Sequence, residues 1–182
     1  MDQPGPPYDR PLPRLETDRL ALRPFVAEDA PAVSRCLAER DVARQTLTVP
    51  HPYPDGAAET FIAGHPAAWA TGKGATWAVV ERAGGALVGA IGLKLVRAHR
   101  RAELGYWIAK PSWGKGYATE ATRRVIAFGF DELGLHRVEA HHFLENPASG
   151  QVMRNAGMIP EGVHRGVVWR DGDPRDLASF GI

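Results

Sequence analysis

Residues Gly114-Lys115-Gly116-Tyr117-Ala118-Thr119 put two glycines and a lysine at the mouth of a run that reads as a helix. The first four N–H groups of a helix lack internal partners and carry partial positive charge. Gly114 and Gly116 remove the Cβ atoms that would hold a ligand off this backbone. A strand, a glycine turn and a helix together make an anion cradle suited to phosphate or diphosphate, and Lys115 adds a flexible cation. Three nucleotide-type ligands compete for it. A P-loop needs Ser or Thr after Gly-Lys, where Gly116 stands. A dinucleotide fold needs a third glycine where Thr119 stands, and places the motif near the start of a βαβ unit. Coenzyme A needs backbone amides for its diphosphate and no metal. A plain tight turn is the remaining reading of the glycines alone.

Other chemistries find less support. Seven histidines, His51, His65, His99, His136, His141, His142 and His164, form no i, i+4 helical pair and no pattern with cysteine, so no metal site is expected. His141 and His142 are neighbours on a strand and point to opposite faces; either one is a candidate to line an acceptor groove. A net charge of +1 across 182 residues argues against nucleic acid and anionic membranes as partners. Arg97, Arg100 and Arg101 are the densest basic group and have no interleaved aromatics. The single cysteine, Cys36, excludes an intrachain disulfide, fits a reducing compartment and reads as buried packing. With no signal-like apolar run and no membrane-length stretch, a cytoplasmic protein is expected.

These residues need elements to position them. Residues 1–14 carry five prolines and are expected to be an extended, poorly ordered lead-in to a single domain spanning 15–182. "RLALRPF" reads as a first strand. "EDAPAVSRCLAERDV" reads as a helix capped by Asp29, with Pro31 inside its start. "AAETFIAGHPAAWATG" reads as a second helix, interrupted or kinked near Gly64 and Pro66. "ATWAVVER" and "ALVGAIGLKLV" form a hairpin across Ala83-Gly84-Gly85. "AELGYWIA" is a strand, followed by the glycine turn and a helix from Tyr117 to Leu133 that Gly134 ends. "HRVEAHHF" is another strand, and Asn146-Pro147 starts a short helix that Gly157 stops. "HRGVVWR" and "DLASFGI" close as an antiparallel pair. The sum is an α/β (α+β) domain, a central mixed, mostly antiparallel twisted sheet flanked by about four helices.

The stretches "ELGYWIAKPSWGKGYATEA" and "LGLHRVEAHHFLENPASGQVMRNAGMIPEG" resemble the acetyl-coenzyme A site of the GNAT superfamily of N-acetyltransferases. The likeness is to the branch that includes the ribosomal-protein-alanine N-acetyltransferases. "LETDRLALRPFVAEDA" and "DGDPRDLASFGI" extend it over nearly the whole chain from Leu15. The superfamily loop is Gln or Arg, any two residues, Gly, any residue, then Gly or Ala. Here it is matched by Trp113-Gly114-Lys115-Gly116-Tyr117-Ala118, with Trp113 in place of Gln or Arg.

The resemblance implies direct transfer of an acetyl group from acetyl-CoA to a primary amine, with no metal. Such a reaction calls for a base on the amine, an acid for the leaving thiolate and a donor for the oxyanion. It implies Glu103 as the base, acting directly or through water, though a solvated charge beside Arg100 and Arg101 would look the same. It implies Asn146 as a cofactor contact, although a helix cap explains that residue fully. Many relatives carry a tyrosine seven positions after this asparagine as the acid, where this chain has Met153, which cannot donate a proton. Ser149 is then the hydroxyl resembling the branch's thiolate-protonating residue. Trp107, Ile108 and Ala109 are implied to hold the pantetheine arm through their backbone, and Tyr106 reads as packing. Residues 113–119 are implied to bind the diphosphate, and Thr46 to Gly56 to shape the acceptor site. The acceptor is a protein N-terminal α-amine or a small amine such as an antibiotic, a polyamine or an amino acid. A non-catalytic acyl-CoA sensor is the alternative of another class. Homodimers occur among relatives, but no residue here requires one.

Overall fold

The computed structural model describes residues 7–182. The chain runs β1 (Leu15–Glu16), β2 (Leu20–Arg23), α1 (Ala30–Ala38), α2 (Arg40–Arg44), α3 (Ala57–Ala70), β3 (Gly74–Glu81) and β4 (Leu87–Val96). It continues through β5 (Arg101–Ile108), α4 (Tyr117–Asp131), β6 (Arg137–Phe143), α5 (Pro147–Asn155), β7 (Ile159–Arg170) and β8 (Asp173–Gly181). All eight strands lie in one sheet in the order β1-β2-β3-β4-β5-β6-β8-β7. Every neighbouring pair is antiparallel except β5 with β6. Parallel neighbours need a crossover, and α4 is that crossover, starting from the glycine turn.

The sheet is covered on both faces because its strands alternate between two apolar sets. Leu104, Ile108 and Ala140 join the α4 residues Ala121, Val125 and Phe128 in the larger core. Ala90 and Trp107 join Val33, Leu37, Val42 and Ile62 from α1, α2 and α3 in the smaller one. In α4 the buried positions recur every three or four residues, the period of a helix with one apolar face. Phe128 meets the fully buried Trp77 edge to face, with centroids 5.3 Å apart. Truncating it to alanine would cost about 3–5 kcal/mol. Gly134 follows α4 with φ at 61°, the left-handed turn the sequence predicts. The helix itself stops at Asp131, two residues early.

Among the described residues five α-helices, with three short 3-10 turns besides, stand where about four helices were expected. The first predicted helix divides at Glu39, whose ψ of 115° breaks the helical ladder between α1 and α2. The predicted interruption of α3 is absent as a break, and Pro66 lies inside a continuous helix. Asp29 stands at the N-cap of α1 but makes no side-chain capping bond. Its carboxylate accepts two 2.7 Å bonds from Arg23 and one of 2.9 Å from the Val26 N–H. Burial pushes this carboxyl upward, yet those bonds hold it below the usual range.

Part of the lead-in, residues 1–6, lies outside the described residues. Residues 7–14 form no regular element, yet they are tied down rather than loose. Trp69 Nε1 donates to Arg10 O at 2.6 Å and Trp77 Nε1 donates to Pro13 O at 2.8 Å. Tyr8 packs edge-on against Trp69. Buried indoles need an acceptor for their N–H, and this segment supplies two.

Candidate active site

Gly114 and Gly116 have φ of 75° and 80°, so the turn before α4 uses the left-handed region twice in three residues. An added Cβ at Gly114 would meet nothing, and at Gly116 only ordinary contact with Arg19. Conformation, together with open space above the turn, accounts for both glycines. Gly116 caps α4 without a side-chain bond, so the N–H groups of the first turn are available. Residues 113–116 are exposed, while Tyr117 is buried and Ala118 and Thr119 are half-buried. Lys115 is exposed, its Nζ 5.8 Å from the Tyr117 ring centroid.

A second clamp holds this turn in place. Arg19 donates to Lys115 O at 2.9 Å and to Glu120 at 2.7 Å, and Thr17 donates to Glu120 at 2.6 Å. Trp113, where the family pattern has Gln or Arg, donates its indole N–H to Ile108 O at 2.7 Å. The turn is thus tied to the last residue of β5.

That strand has a free flank. β5 and β6 pair only from Arg101↔Arg137 to Leu104↔Ala140, although both strands run further. Beyond Leu104 the sheet splays open. Ala109 N donates to Val88 O across the β4 side, and Arg100 O accepts from His136 N across the β6 side. By the alternation of an antiparallel ladder, Trp107 also turns its backbone toward β4, while Tyr106 and Ile108 turn theirs into the gap. An extended ligand with amide groups fits there as an added strand. The Trp107 side chain packs in the smaller core and the Ile108 side chain in the larger.

Glu103 is the half-buried carboxylate of β5, at the last paired stretch before the gap. The nearby arginines do not neutralise it: Arg101 pairs with Glu139, and Arg100 donates to Gly134 O. Among the described residues Glu103 makes no ion pair. Ser149 lies in the first turn of α5. Its N–H donates to the Asn146 Oδ1 cap at 3.1 Å, and its hydroxyl lies 2.7 Å from the Tyr106 hydroxyl. Burial pushes the Tyr106 phenol up to about 12, partly offset by the Ser149 hydrogen bond. Met153 is buried in the core.

A cavity of about 1020 Å³ brings Glu103, Tyr106, Trp107 and Ser149 together with most of the segment 46–56. Of that segment Tyr53 and Asp55 line it and His51 does not. His141 and His142 both line it, although their side chains leave the strand in opposite directions. Asn146 lines a separate cavity of about 210 Å³ beside Arg170 and Arg175. Among the described residues no cluster of three or more His, Cys, Asp or Glu could hold a metal ion. No described helix is long and apolar enough to cross a membrane.

Tyr106 packs against the larger core as expected, and its hydroxyl also meets that of Ser149, a contact that sequence reading did not foresee. A signal was present: a tyrosine on the buried face of a strand needs a partner for its hydroxyl.

A family model of the acetyltransferase (GNAT) domain matches residues 19–159. The chain is 34% identical over 172 residues to the uncharacterized N-acetyltransferase YoaA of Bacillus subtilis (strain 168), covering 94% of this chain and 97% of YoaA. Its structure is similar to that of RimL, a ribosomal alpha-N-protein acetyltransferase solved with coenzyme A. There the TM-score is 0.85 at 14% identity, over 93% of this chain and 97% of that one. It is also similar to a spermidine N-acetyltransferase SpeG chimera from Vibrio cholerae and hSSAT. That TM-score is 0.77 at 22% identity, over 91% and 95% of the two chains. At such identities these two structures speak for the fold alone.

Proposed function

The chain belongs to the GNAT acetyltransferase family and is an acetyl-CoA-dependent N-acetyltransferase, and we propose that its acceptor is the α-amine of a protein or peptide N-terminus. The observation that carries this reading is the composition of the large cavity. Its carboxylates are Glu103 and Asp55, and the same wall presents Lys73 and Lys94. Most of the remainder is apolar, including Leu37, Leu47, Val49, Tyr53 and Phe61. A polyamine needs acidic walls to offset several charges, and this cavity offers no such excess. A single amine attached to an apolar first residue suits it better.

The cradle at residues 113–119 fits a diphosphate, with glycines in the left-handed region and uncapped amides facing open space. The gap beside Tyr106 and Ile108 fits an extended amide-bearing arm that reaches the large cavity. Acetyl-CoA supplies the acyl thioester. Glu103 removes a proton from the acceptor ammonium, directly or through water, and the freed amine attacks the thioester carbonyl. Main-chain N–H groups on the open flank of β5 meet the oxyanion as the carbon–nitrogen bond forms. The carbon–sulfur bond then breaks and the nitrogen sheds its second proton to solvent; Ser149 gives its hydroxyl proton to the thiolate and regains one from solvent, while the Tyr106 hydroxyl holds the serine in place. Asn146, with its Oδ1 committed to the Ser149 N–H, keeps its amide NH₂ for the cofactor.

An acceptor screen tests the proposal. The purified protein and acetyl-CoA are incubated with peptides differing in their first residue, alongside spermidine, free amino acids and an aminoglycoside, and products are read by mass spectrometry. Peptides with an apolar first residue gain an acetyl group on the α-amine at the highest rate. Faster modification of spermidine or another small amine than of every peptide would replace this acceptor with that one.

A further inference from the structure

Arg170 ends β7 at the tip of the β7–β8 hairpin, and its side chain leaves that hairpin to enter another part of the molecule. It donates to three main-chain carbonyls: Thr46 O, Ala43 O at 3.0 Å and Val49 O at 2.7 Å. The side chain is only 13% exposed, and the guanidinium carbon lies 5.9 Å from the Phe143 ring centroid. Thr46, Val49 and Phe143 all line the large cavity. The strand that carries this arginine is exposed over its first nine residues, which makes a buried cation at its end unusual.

The physical need for it lies in the loop. Between α2 and α3 the chain passes residues 45–56 without a helix or strand, so its carbonyls have no ladder to satisfy them. Two loop carbonyls, Thr46 O and Val49 O, converge on one cation instead, together with Ala43 O of the last turn of α2, which also accepts from the Thr46 N–H and hydroxyl. A guanidinium suits this task because its donors are fixed in a plane and remain charged, whereas a lysine ammonium is a flexible point charge.

We propose that Arg170 is a positioning residue for acceptor recognition: by gripping the carbonyls of Ala43, Thr46 and Val49 it fixes the wall of the cavity that receives the acceptor's first residue. The β7–β8 hairpin thereby sets acceptor preference from a distance, without touching the reacting atoms. The inference rests on the reading of the large cavity as the acceptor site. It adds a residue that lies outside the glycine turn, the β5 edge and α5.

The test uses the full chain with Arg170→Ala, Arg170→Gln and Arg170→Lys, on the best acceptor found in the screen. The acceptor KM rises roughly tenfold, about what loss of one well-placed charged hydrogen bond produces, with kcat within about threefold of the parent. Acetyl-CoA affinity by calorimetry stays unchanged. The lysine variant fails to restore the KM, since one ammonium cannot span three carbonyls. Hydrogen exchange supplies a readout independent of any acceptor: amides of residues 43–50 exchange faster in each variant, while those of β5 and α4 keep their protection. A folded variant with parental exchange in 43–50, or with parental acceptor KM, overturns the proposal. So does a fall in kcat at constant acceptor KM. If the screen selects spermidine, the peptide reading fails on its own, and the same measurements with spermidine still decide the role of Arg170.

Discussion

The hydroxyls of Tyr106 and Ser149 meet at 2.7 Å, one carried on β5 and the other on the first turn of α5. The helix has methionine where many relatives carry a tyrosine, and a phenol arrives from the strand across from it. Tyr106→Phe removes one bond to the serine without emptying the site. It lowers kcat by roughly tenfold, the worth of one hydrogen bond felt in the transition state. Ser149→Ala lowers kcat at least as much. The double variant is no worse than Ser149→Ala alone, because Tyr106 acts through Ser149. Steady-state kinetics on the four proteins checks this, and additive losses would separate the two hydroxyls.

Glu103 stands in register with Lys94 on one side and Glu139 on the other, and Glu139 pairs with Arg101, so among the described residues Glu103 makes no ion pair. Glu103→Gln keeps the shape and removes the proposed base. Its kcat/KM falls by about 10²–10⁴, the usual contribution of general base catalysis. Calorimetry on the same variant returns the parental affinity for acetyl-CoA. A loss below threefold would assign the proton to another group.

Gly116 stands at φ of 80° immediately before α4. Gly116→Ala forces an L side chain into the left-handed region at a cost of about 1–2 kcal/mol. The turn answers by shifting its amides, so acetyl-CoA binding weakens by about tenfold or more. Urea unfolding and calorimetry measure the two effects separately. Parental affinity in a destabilised variant would remove the turn from the cofactor site.

His65 is held between Phe25 and Phe61, with ring centroids 5.4 and 4.4 Å away, and burial lowers its pKa to about 4. The unfolded chain therefore binds this proton more readily than the folded one. Its contribution to stability is complete above about pH 6.5 and is lost as the pH falls toward 4. His65→Phe removes this dependence. Thermal unfolding between pH 4 and 7 gives a shallower acid limb for the variant than for the parent, and identical limbs would refute the assignment.

Much of the fold was legible because its elements follow simple periods. The α4 face, the Asn146-Pro147 start and the Gly134 stop all follow from residue type and spacing. The break at Glu39 was not legible, since apolar spacing continues through it and only a backbone angle marks the division. The site divides in the same way. The glycine turn and Glu103 are local signals, eleven positions apart from Glu103 to Gly114. The Tyr106–Ser149 contact spans 43 residues and the grip of Arg170 on Thr46 spans 124, so both depend on how the sheet brings distant segments together. The docking of residues 7–14 was hidden for a related reason: proline content describes the segment, while the indoles that hold it lie on α3 and β3.

The seam between β5 and β6 is fastened by four register pairs and then left unstitched. On one side of it stand five strands and on the other three strands and α5, the last quarter of the chain, joined to the rest by this short hem and by the Tyr106–Ser149 and Arg170 contacts. Whatever threads the unstitched part sutures that quarter to the body, and mass action adds about 2.7 kcal/mol at a hundredfold excess over Kd. Melting temperature and the exchange of β6 amides should then rise and fall together as the thread is supplied or withdrawn.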